Sequence, residues 1–232
     1  MINLFYSLIV IVVMNSDSSL RSLSQKIADT IRQMIIQGVL NPSERLSEAA
    51  LSHQLNVSRN TLRESFRLLT QEGILDHQPN RGVCVALPDI TAIIDIYRIR
   101  RLIEVDAIRN TYPMHPALIQ MQEAVKHARH SSQKNDWRSV GTANIEFHAA
   151  IVSLANSERL NKWYQTMAAE LRLVFSYMNN PQQLHAPYIE QNAQLFMMIQ
   201  SNQLEQAATA MDEYLCISEK TVLAVYSHQK SA

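Results

Sequence analysis

Glycine is scarce in this chain. Only four occur among 232 residues, at Gly38, Gly73, Gly82 and Gly141, and everything after Gly82 holds just Gly141. A stretch that long built from many tight turns would need more glycine, so helices are expected there. Cysteine is scarce too. Cys84 and Cys216 are far apart and form no metal or redox spacing, which fits buried, inert thiols in a reducing cytoplasm. Net charge is absent, with 21 Lys+Arg against 21 Asp+Glu. Bulk charge therefore draws no polyanion, and any nucleic-acid reading must rest on local charge. Catalytic signatures are missing as well: there is no G-x-S-x-G, no H-E-x-x-H and no phosphate-cradling glycine loop. A hydrolytic or phosphoryl-transfer enzyme lacks its parts, and the chain is read as a non-enzyme.

No long hydrophobic run occurs either. The opening "MINLFYSLIVIVVM" is apolar, but it is shorter than the roughly 20 residues of a spanning helix. It also lacks the basic start and small-residue cleavage site of a signal peptide. Met1–Val13 is expected to be an over-extended gene start or a disordered leader, against the alternative of a weak membrane anchor. No membrane partner is expected.

What is present is a periodic apolar pattern. Apolar residues make up 47% and charged residues 18%, enough for a real core of one large or two modest domains. Leu23, Ile27, Ile31, Met34 and Ile35 recur at helical spacing until Gly38 stops them. After a turn carrying Pro42, Ser47 is placed to cap "EAALSHQL", with Glu48 in its first turn. That helix is expected to bury Ala50, Leu51 and Leu55. Asn56 tolerates a left-handed turn position. Ser58 then caps a third helix, about Arg59 to Glu72, closed by Gly73. "ILDHQPNRGVCVALP" reads as a short hairpin, with Val83 and Val85 alternating against Cys84 and Ala86. Helix, helix, tight turn, helix, hairpin is a winged helix-turn-helix, and Pro88 marks its end. Beyond it, helices are expected near 89–111, 116–132, 136–154, 157–179, 185–201 and 203–226. Short connections favour an antiparallel bundle. The fold class is mainly α: an N-terminal winged helix-turn-helix with a small β-hairpin, then a C-terminal all-α antiparallel helical bundle.

The third helix has two faces. Leu62, Phe66 and Leu69 repeat at i, i+4, i+7 and pack inward. Arg59, Asn60, Arg63 and Arg67 point away. A helix-turn-helix lays its second helix in the major groove with its N-terminal residues at base edges. Arginine there can bond two acceptors on guanine, and others meet phosphates. The bland alternative pairs Arg63 and Arg67 with Glu64 or Asp76 on a solvated face.

The stretch from "IADTIRQMIIQGVL" through "SEAALSHQLNVSRNTLRESFRLL" to "NRGVCV" resembles the N-terminal domain of GntR-family transcription regulators. It shows the G-x-L-x-P-x-x-x-L opening, the S-E-x-x-L helix, V-S-R-x-x-L-R-E and an R-G wing. The resemblance implies DNA contacts from Ser58, Arg59, Asn60, Thr61 and Arg63 on the recognition helix and from Arg81 and Gly82 on the wing. It also implies a phosphate contact from Arg45. Ala49 stands where some relatives carry an arginine, and Asn60 where many carry Thr or Pro.

The remainder is similar to the FCD domain of the FadR branch of that family, on "IYRIRRLIEVDAIRN", "NIEFHAAIVSLANSERL" and "QLFMMIQSNQLEQAATAMDEYL". The resemblance divides the chain into a leader, 1–21; a DNA-binding domain, 22–88; an effector-binding and dimerisation domain, 89–227; and a tail, 228–232. Many FCD domains hold a divalent metal with one Asp and three His, donors that suit zinc or nickel. Here Asn144 replaces the carboxylate, His148 remains, and the later histidines fall at Asn192 and Tyr214. No metal and no cofactor are expected. His148 is either a hydrogen-bonded core histidine or, with Asn144, Asn192 and Tyr214, part of a polar pocket for a small ligand. Arg100 and Arg172 are the candidates for meeting a ligand carboxylate, against structural ion pairs, with Glu104 within reach of Arg100 at i, i+4. The methionines read as core, and His127 with His130 as a solvated face. Together these features imply a cytoplasmic, ligand-responsive transcription regulator. It would be a repressor that binds double-stranded palindromic DNA as a homodimer and senses a small organic acid or related metabolite. The alternative is a DNA-binding dimer whose helical domain senses nothing.

Overall fold

A computed structural model of the chain describes residues 22–231; the expectation for Met1–Val13 lies outside them. The described elements run α1 (Leu23–Ile36), α2 (Glu48–Gln54), α3 (Arg59–Gln71), β1 (Leu75–Gln78), β2 (Gly82–Val85), α4 (Ile90–Arg109), α5 (Ala117–Gln133), α6 (Trp137–Ser153), α7 (Glu158–Tyr177), α8 (Pro181–Gln200) and α9 (Leu204–Ser231).

Serine capping starts each helix of the winged unit. Ser22 and Gln25 form a reciprocal capping box on α1, and the Ser47 and Ser58 hydroxyls accept backbone N–H groups of α2 and α3. α3 packs on α1, and Leu62, Phe66 and Leu69 of the one are buried in the same core as Ile27, Ile31 and Ile35 of the other. The strands pair antiparallel in the register Leu75↔Val85 to Gln78↔Gly82. The expected alternation in β2 fails: Cys84 and Val85 are both buried. An isolated bridge between Arg45 and Cys84 covers the strand from its other side. Ala50 is exposed rather than buried, because Leu51 and Leu55 alone carry the inward stripe of so short a helix.

In the helical domain α6 is central. It packs against α4, α5, α7 and α8 and buries most of its length. α4 and α9 run antiparallel, pinned by Tyr97–Ser218 (2.8 Å) and by Tyr226 donating to the Pro88 carbonyl (2.7 Å). α8 begins at Pro181, four residues before the expected 185. Asn180 caps it and proline takes the first turn, where its missing N–H costs nothing. α9 continues past 226 through the expected tail, to Ser231. Asparagine supplies the left-handed turns that glycine does not: Asn56, Asn80, Asn135, Asn156 and Asn202 all have positive φ.

The packing behind α3 gives a first prediction. Leu69 is fully buried, so Leu69→Ala should cost about 2–5 kcal/mol. Urea denaturation followed by circular dichroism measures it; a loss well below that range would mean this seam is not the support of α3.

Candidate functional site

Two sites emerge, one on the surface and one inside. On the surface, the turn after Leu55, with Asn56 at φ 52°, sets α3 across α2. Arg59, Asn60, Arg63 and Arg67 are exposed along one side of α3. Ser58 and Thr61 sit at its N-terminus with their hydroxyls 2.9 Å apart. Arg63 Nε donates to Glu48 Oε2 at 2.8 Å, and the Arg63 side chain stays 63% exposed. Arg67 pairs with Glu64 at 2.8 Å. At the hairpin tip Arg81 donates to the Gln78 side chain at 3.0 Å, beside Gly82 at φ 79°. Arg45 is exposed at the base of the same wing, joined to it by the Cys84 bridge. Helix N-terminus, arginine row, wing tip and wing base thus carry the eight expected contact residues: Arg45, Ser58, Arg59, Asn60, Thr61, Arg63, Arg81 and Gly82. The alternative pairing is half right: Arg67 takes Glu64, but Arg63 takes Glu48 from the preceding helix.

Inside the helical domain a chain of polar groups runs across three helices. Arg100 Nε donates to Glu104 Oε1 at 2.7 Å, and His148 Nδ1 lies 2.6 Å from Glu104 Oε2. His148 Nε2 lies 3.1 Å from the Tyr214 hydroxyl, which accepts from Asn144 Nδ2 at 3.1 Å. These partners assign one direction: Asn144 donates to Tyr214, Tyr214 to a neutral imidazole, and the imidazole to Glu104. Burial pushes the Glu104 carboxyl up, but the Arg100 charge together with His148 and the hydrogen bonds from both partners holds it below the usual carboxylate range. Burial lowers the His148 imidazole against the pull of Glu104, and burial raises the Tyr214 phenol. The result is an ionised pair, Arg100 with Glu104, beside groups that stay neutral. Tyr97 lies under the guanidinium at 5.2 Å and Tyr164 stands close to it, yet Arg100 Nη2 has no partner among the described residues.

A cavity of about 10 Å³ is lined by Arg100, Asn144, His148, His185, Tyr188, Tyr214 and Ser218, with Phe175 and Leu184. That is roughly the space one water occupies. A larger recess of about 570 Å³ opens between α5, α6 and α7. It touches the buried chain only at Tyr164.

Four of the six residues expected to share a pocket therefore meet: Arg100, Asn144, His148 and Tyr214. Asn192 is buried with Oδ1 unpaired, but it does not line the cavity. Arg172 does not line it either; its guanidinium lies against Gly38 and Gly141. The sequence reading missed Glu104 as the centre of the chain and missed His185, Tyr188 and Ser218 as lining. On α8, spacing could have found them: His185, Tyr188 and Asn192 fall on one helical face. His127 and His130 are exposed, as expected.

Comparison with known proteins agrees with this architecture. Residues 23–85 match the family of bacterial regulatory proteins called gntR, and residues 95–216 match the FCD domain. The crystal structure of a putative GntR transcriptional regulator from Rhodococcus sp. RHA1 is 34% identical. It aligns over 88% of this chain and 98% of its own, with a TM-score of 0.81. Escherichia coli McbR/YncC is 22% identical over 91% of this chain and 100% of its own and shares the fold, with a TM-score of 0.74. The Nta operon transcriptional regulator of Aminobacter aminovorans is 27% identical, over 60% of this chain and 67% of that one. The transcriptional repressor RspR of Escherichia coli K12 is 22% identical, over 83% of this chain and 85% of that one. A winged helix-turn-helix joined to this helical domain defines a DNA-binding transcription regulator. The chain belongs to the GntR family, in the branch that carries an FCD domain.

The buried chain makes two predictions. Glu104→Gln should leave the Arg100 charge unpaired and cost about 3–5 kcal/mol, most of it recovered in Arg100→Met/Glu104→Leu. Chemical denaturation of the three variants checks this. The second concerns His185, whose imidazole burial and the Arg172 charge lower to about 3, against about 6.5 when unfolded. Between those values the unfolded chain binds a proton that the folded one does not. Stability should therefore fall as pH drops through this window. His185→Asn should flatten the fall by one proton's slope, and an unchanged slope would place His185 in solvent.

Proposed function

We propose that this regulator binds a two-fold operator as a homodimer, acts as a repressor in the cytoplasm, and senses a small organic acid or related metabolite in the buried cavity without a transition metal. The observation that carries the sensing is the oriented polar chain ending in Arg100. Its guanidinium is 2% exposed overall, and one amino group still has a hydrogen to give. Such a donor favours a partner, since an unsatisfied buried polar group costs about 1–3 kcal/mol. A carboxylate matches the free edge of a guanidinium in charge and shape. Asn144, Tyr214 and His185 add donors and acceptors around it.

The donor set does not fit a divalent transition ion. His148 is the one imidazole at the family's metal position, and both its ring nitrogens are engaged. Asn144 and Asn192 offer amides, and Tyr214 is held protonated. Among the described residues no three His, Cys, Asp or Glu converge as a metal site. Stoichiometric zinc or nickel in the purified protein, by elemental analysis, would overturn this part.

DNA binding is assigned to Arg59, Asn60 and Arg63 at base edges, to Ser58, Thr61 and Arg45 at phosphates, and to Arg81 and Gly82 on the wing. The exposed, pre-oriented arginine row supports that assignment. Homodimerisation follows from matching a palindromic site. The names of relatives such as RspR support repression. A second reading, a helical domain that senses nothing, is favoured by the small size of the cavity.

Gel shifts on the gene's own upstream region test the DNA half. Arg59→Ala and Arg63→Ala should each weaken specific binding by about 1–3 kcal/mol, and unchanged affinity in both would remove α3 from the interface. A thermal-shift screen of organic acids and acyl thioesters tests sensing. Stabilisation is expected in the native chain and should be lost in Arg100→Met; no stabilisation by any compound selects the non-sensing reading.

A further inference from the structure

α4 has two faces. The inner one carries Arg100 and Glu104 into the core. The outer one is a stripe of Asp95, Arg98, Leu102, Asp106 and Arg109, all exposed. At 100° per residue these five fall within an arc of about 80°. Leu102, at the middle of the stripe, is 70% exposed, with half-buried Ile99 and Ile103 beside it. Single apolar residues scattered over a surface are ordinary, but Leu102 is not alone. α7 packs beside α4, with Tyr164 near Tyr97 and Arg100 and with Glu170 near Asp95, so the two helices run antiparallel. Trp163 stands two turns before Glu170 on the same side of α7. It is therefore level with Leu102, and it is 43% exposed.

The charges around this apolar centre follow an order. Arg98 is four residues before Leu102 and Asp106 four after it; Asp95 is seven before and Arg109 seven after. Each charge on one side thus has its opposite at the same distance on the other. The members of a pair cannot meet within one chain, being about 12 Å and about 21 Å apart along the helix. Inside the chain these groups are held loosely. Arg98 approaches Asp95 only to 3.8 Å, and Arg109 meets the exposed Glu205 at 3.3 Å. Asp106 accepts from the Asn110 side chain at 2.9 Å and joins no ion pair among the described residues.

A two-fold axis accounts for this order. In an isologous dimer one patch meets its own copy. An axis perpendicular to α4 at Leu102 sets two copies of the helix antiparallel. Leu102 then packs on its own counterpart, and residues equally far before and after it face each other. Arg98 meets the partner's Asp106, Asp95 meets the partner's Arg109, and the symmetry repeats both. A parallel pairing would instead set Arg98 on Arg98 and Asp106 on Asp106, and like charges facing across an interface are strongly unfavourable. We propose that the outer face of α4, flanked by Trp163 of α7, is the surface on which two copies of this chain pair, antiparallel about Leu102. This rests on the homodimer of the proposed function and assigns its surface and register. A dimer closed in this way has the two-fold symmetry that a palindromic operator requires.

Sedimentation velocity on the full chain tests this, with circular dichroism to show that each variant folds. The native chain should sediment as a dimer. Leu102→Asp, at a position that faces solvent within one chain, should weaken dimerisation at least about tenfold. Arg98→Asp sets Asp against Asp twice across the axis, and Asp106→Arg sets Arg against Arg; each should dissociate the dimer to a similar degree. Mixing these two variants restores opposite charges at both places, so a heterodimer should form where neither variant dimerises alone. Arg98→Asp/Asp106→Arg in one chain should restore the homodimer. No contact within a chain can produce either rescue. A native dimer that withstands Leu102→Asp or the single charge variants keeps the homodimer and overturns this surface. Dissociation with no recovery on mixing overturns the register. A native chain that stays monomeric at every concentration overturns the homodimer and this inference together.

Discussion

The carboxylate of Glu104 organises the interior of the helical domain. It is fully buried and is reached by Arg100 from its own helix and by His148 from α6. An ion pair taken out of water gains stability only when its remaining lone pairs and protons are satisfied. Here they nearly are. The imidazole closes one carboxylate oxygen, the Tyr214 phenol closes the imidazole, and Asn144 closes the phenol. Every link fixes the orientation of the next, so α4, α6 and α9 are held in one mutual arrangement by direction as well as by packing. The exception is Nη2 of Arg100, a residue that also lines the cavity.

The two domains meet through α1, which belongs to the winged unit yet packs on α7. One face of α1 backs the recognition helix. Arg32 reaches from it to Glu72 at the end of α3, at 2.6 Å. Its C-terminus meets Arg138 and Arg172. A displacement at that terminus therefore moves the scaffold of α3 directly, with no flexible linker between. Coupling of this kind needs an element with two arrangements rather than a long chain of contacts, and α1 is the element both domains hold.

Much of the fold was legible because it rests on local rules. Capping serines, Gly38 and Gly73 at helix ends, and the apolar stripe of α3 are read within one or two turns of chain. The errors mark where local rules compete. Pro181 reads as a breaker until Asn180 is seen as the cap that makes it the first residue of α8. Strand alternation sets Cys84 opposite Val83 and Val85, yet Cys84 and Val85 are both buried because Arg45, from an earlier part of the chain, bridges the strand. The scarcity of glycine pointed to helices, and it did so only because asparagines fill the left-handed positions between them. In the interior, His148, Asn144 and Tyr214 were found through the family's metal pattern. Glu104 was visible only as a partner for Arg100. Its second bond crosses to another helix, and single-chain spacing carries no information about that. Arg172 was read as a pocket residue because it stands among apolar positions. Its actual neighbours are two glycines more than a hundred residues apart, a relation with no periodic signature.

The arginines of this protein separate by what balances them. Those on α3 keep their charge in water, where pairs such as Arg67–Glu64 are worth little and give way readily to a stronger anion. That is what a surface meeting phosphates and bases requires. Arg100 is neutralised by a full carboxylate in the core and is held fast. Arg172 lies between these cases: it is nearly as buried as Arg100, its Nη2 donates to the Arg138 carbonyl, and the Asp136 carboxylate acts on it without forming an ion pair among the described residues. Its guanidinium lies against Gly38 at the end of α1 and against Gly141 in α6, so its place is fixed by the packing of the two domains rather than by a partner of opposite charge.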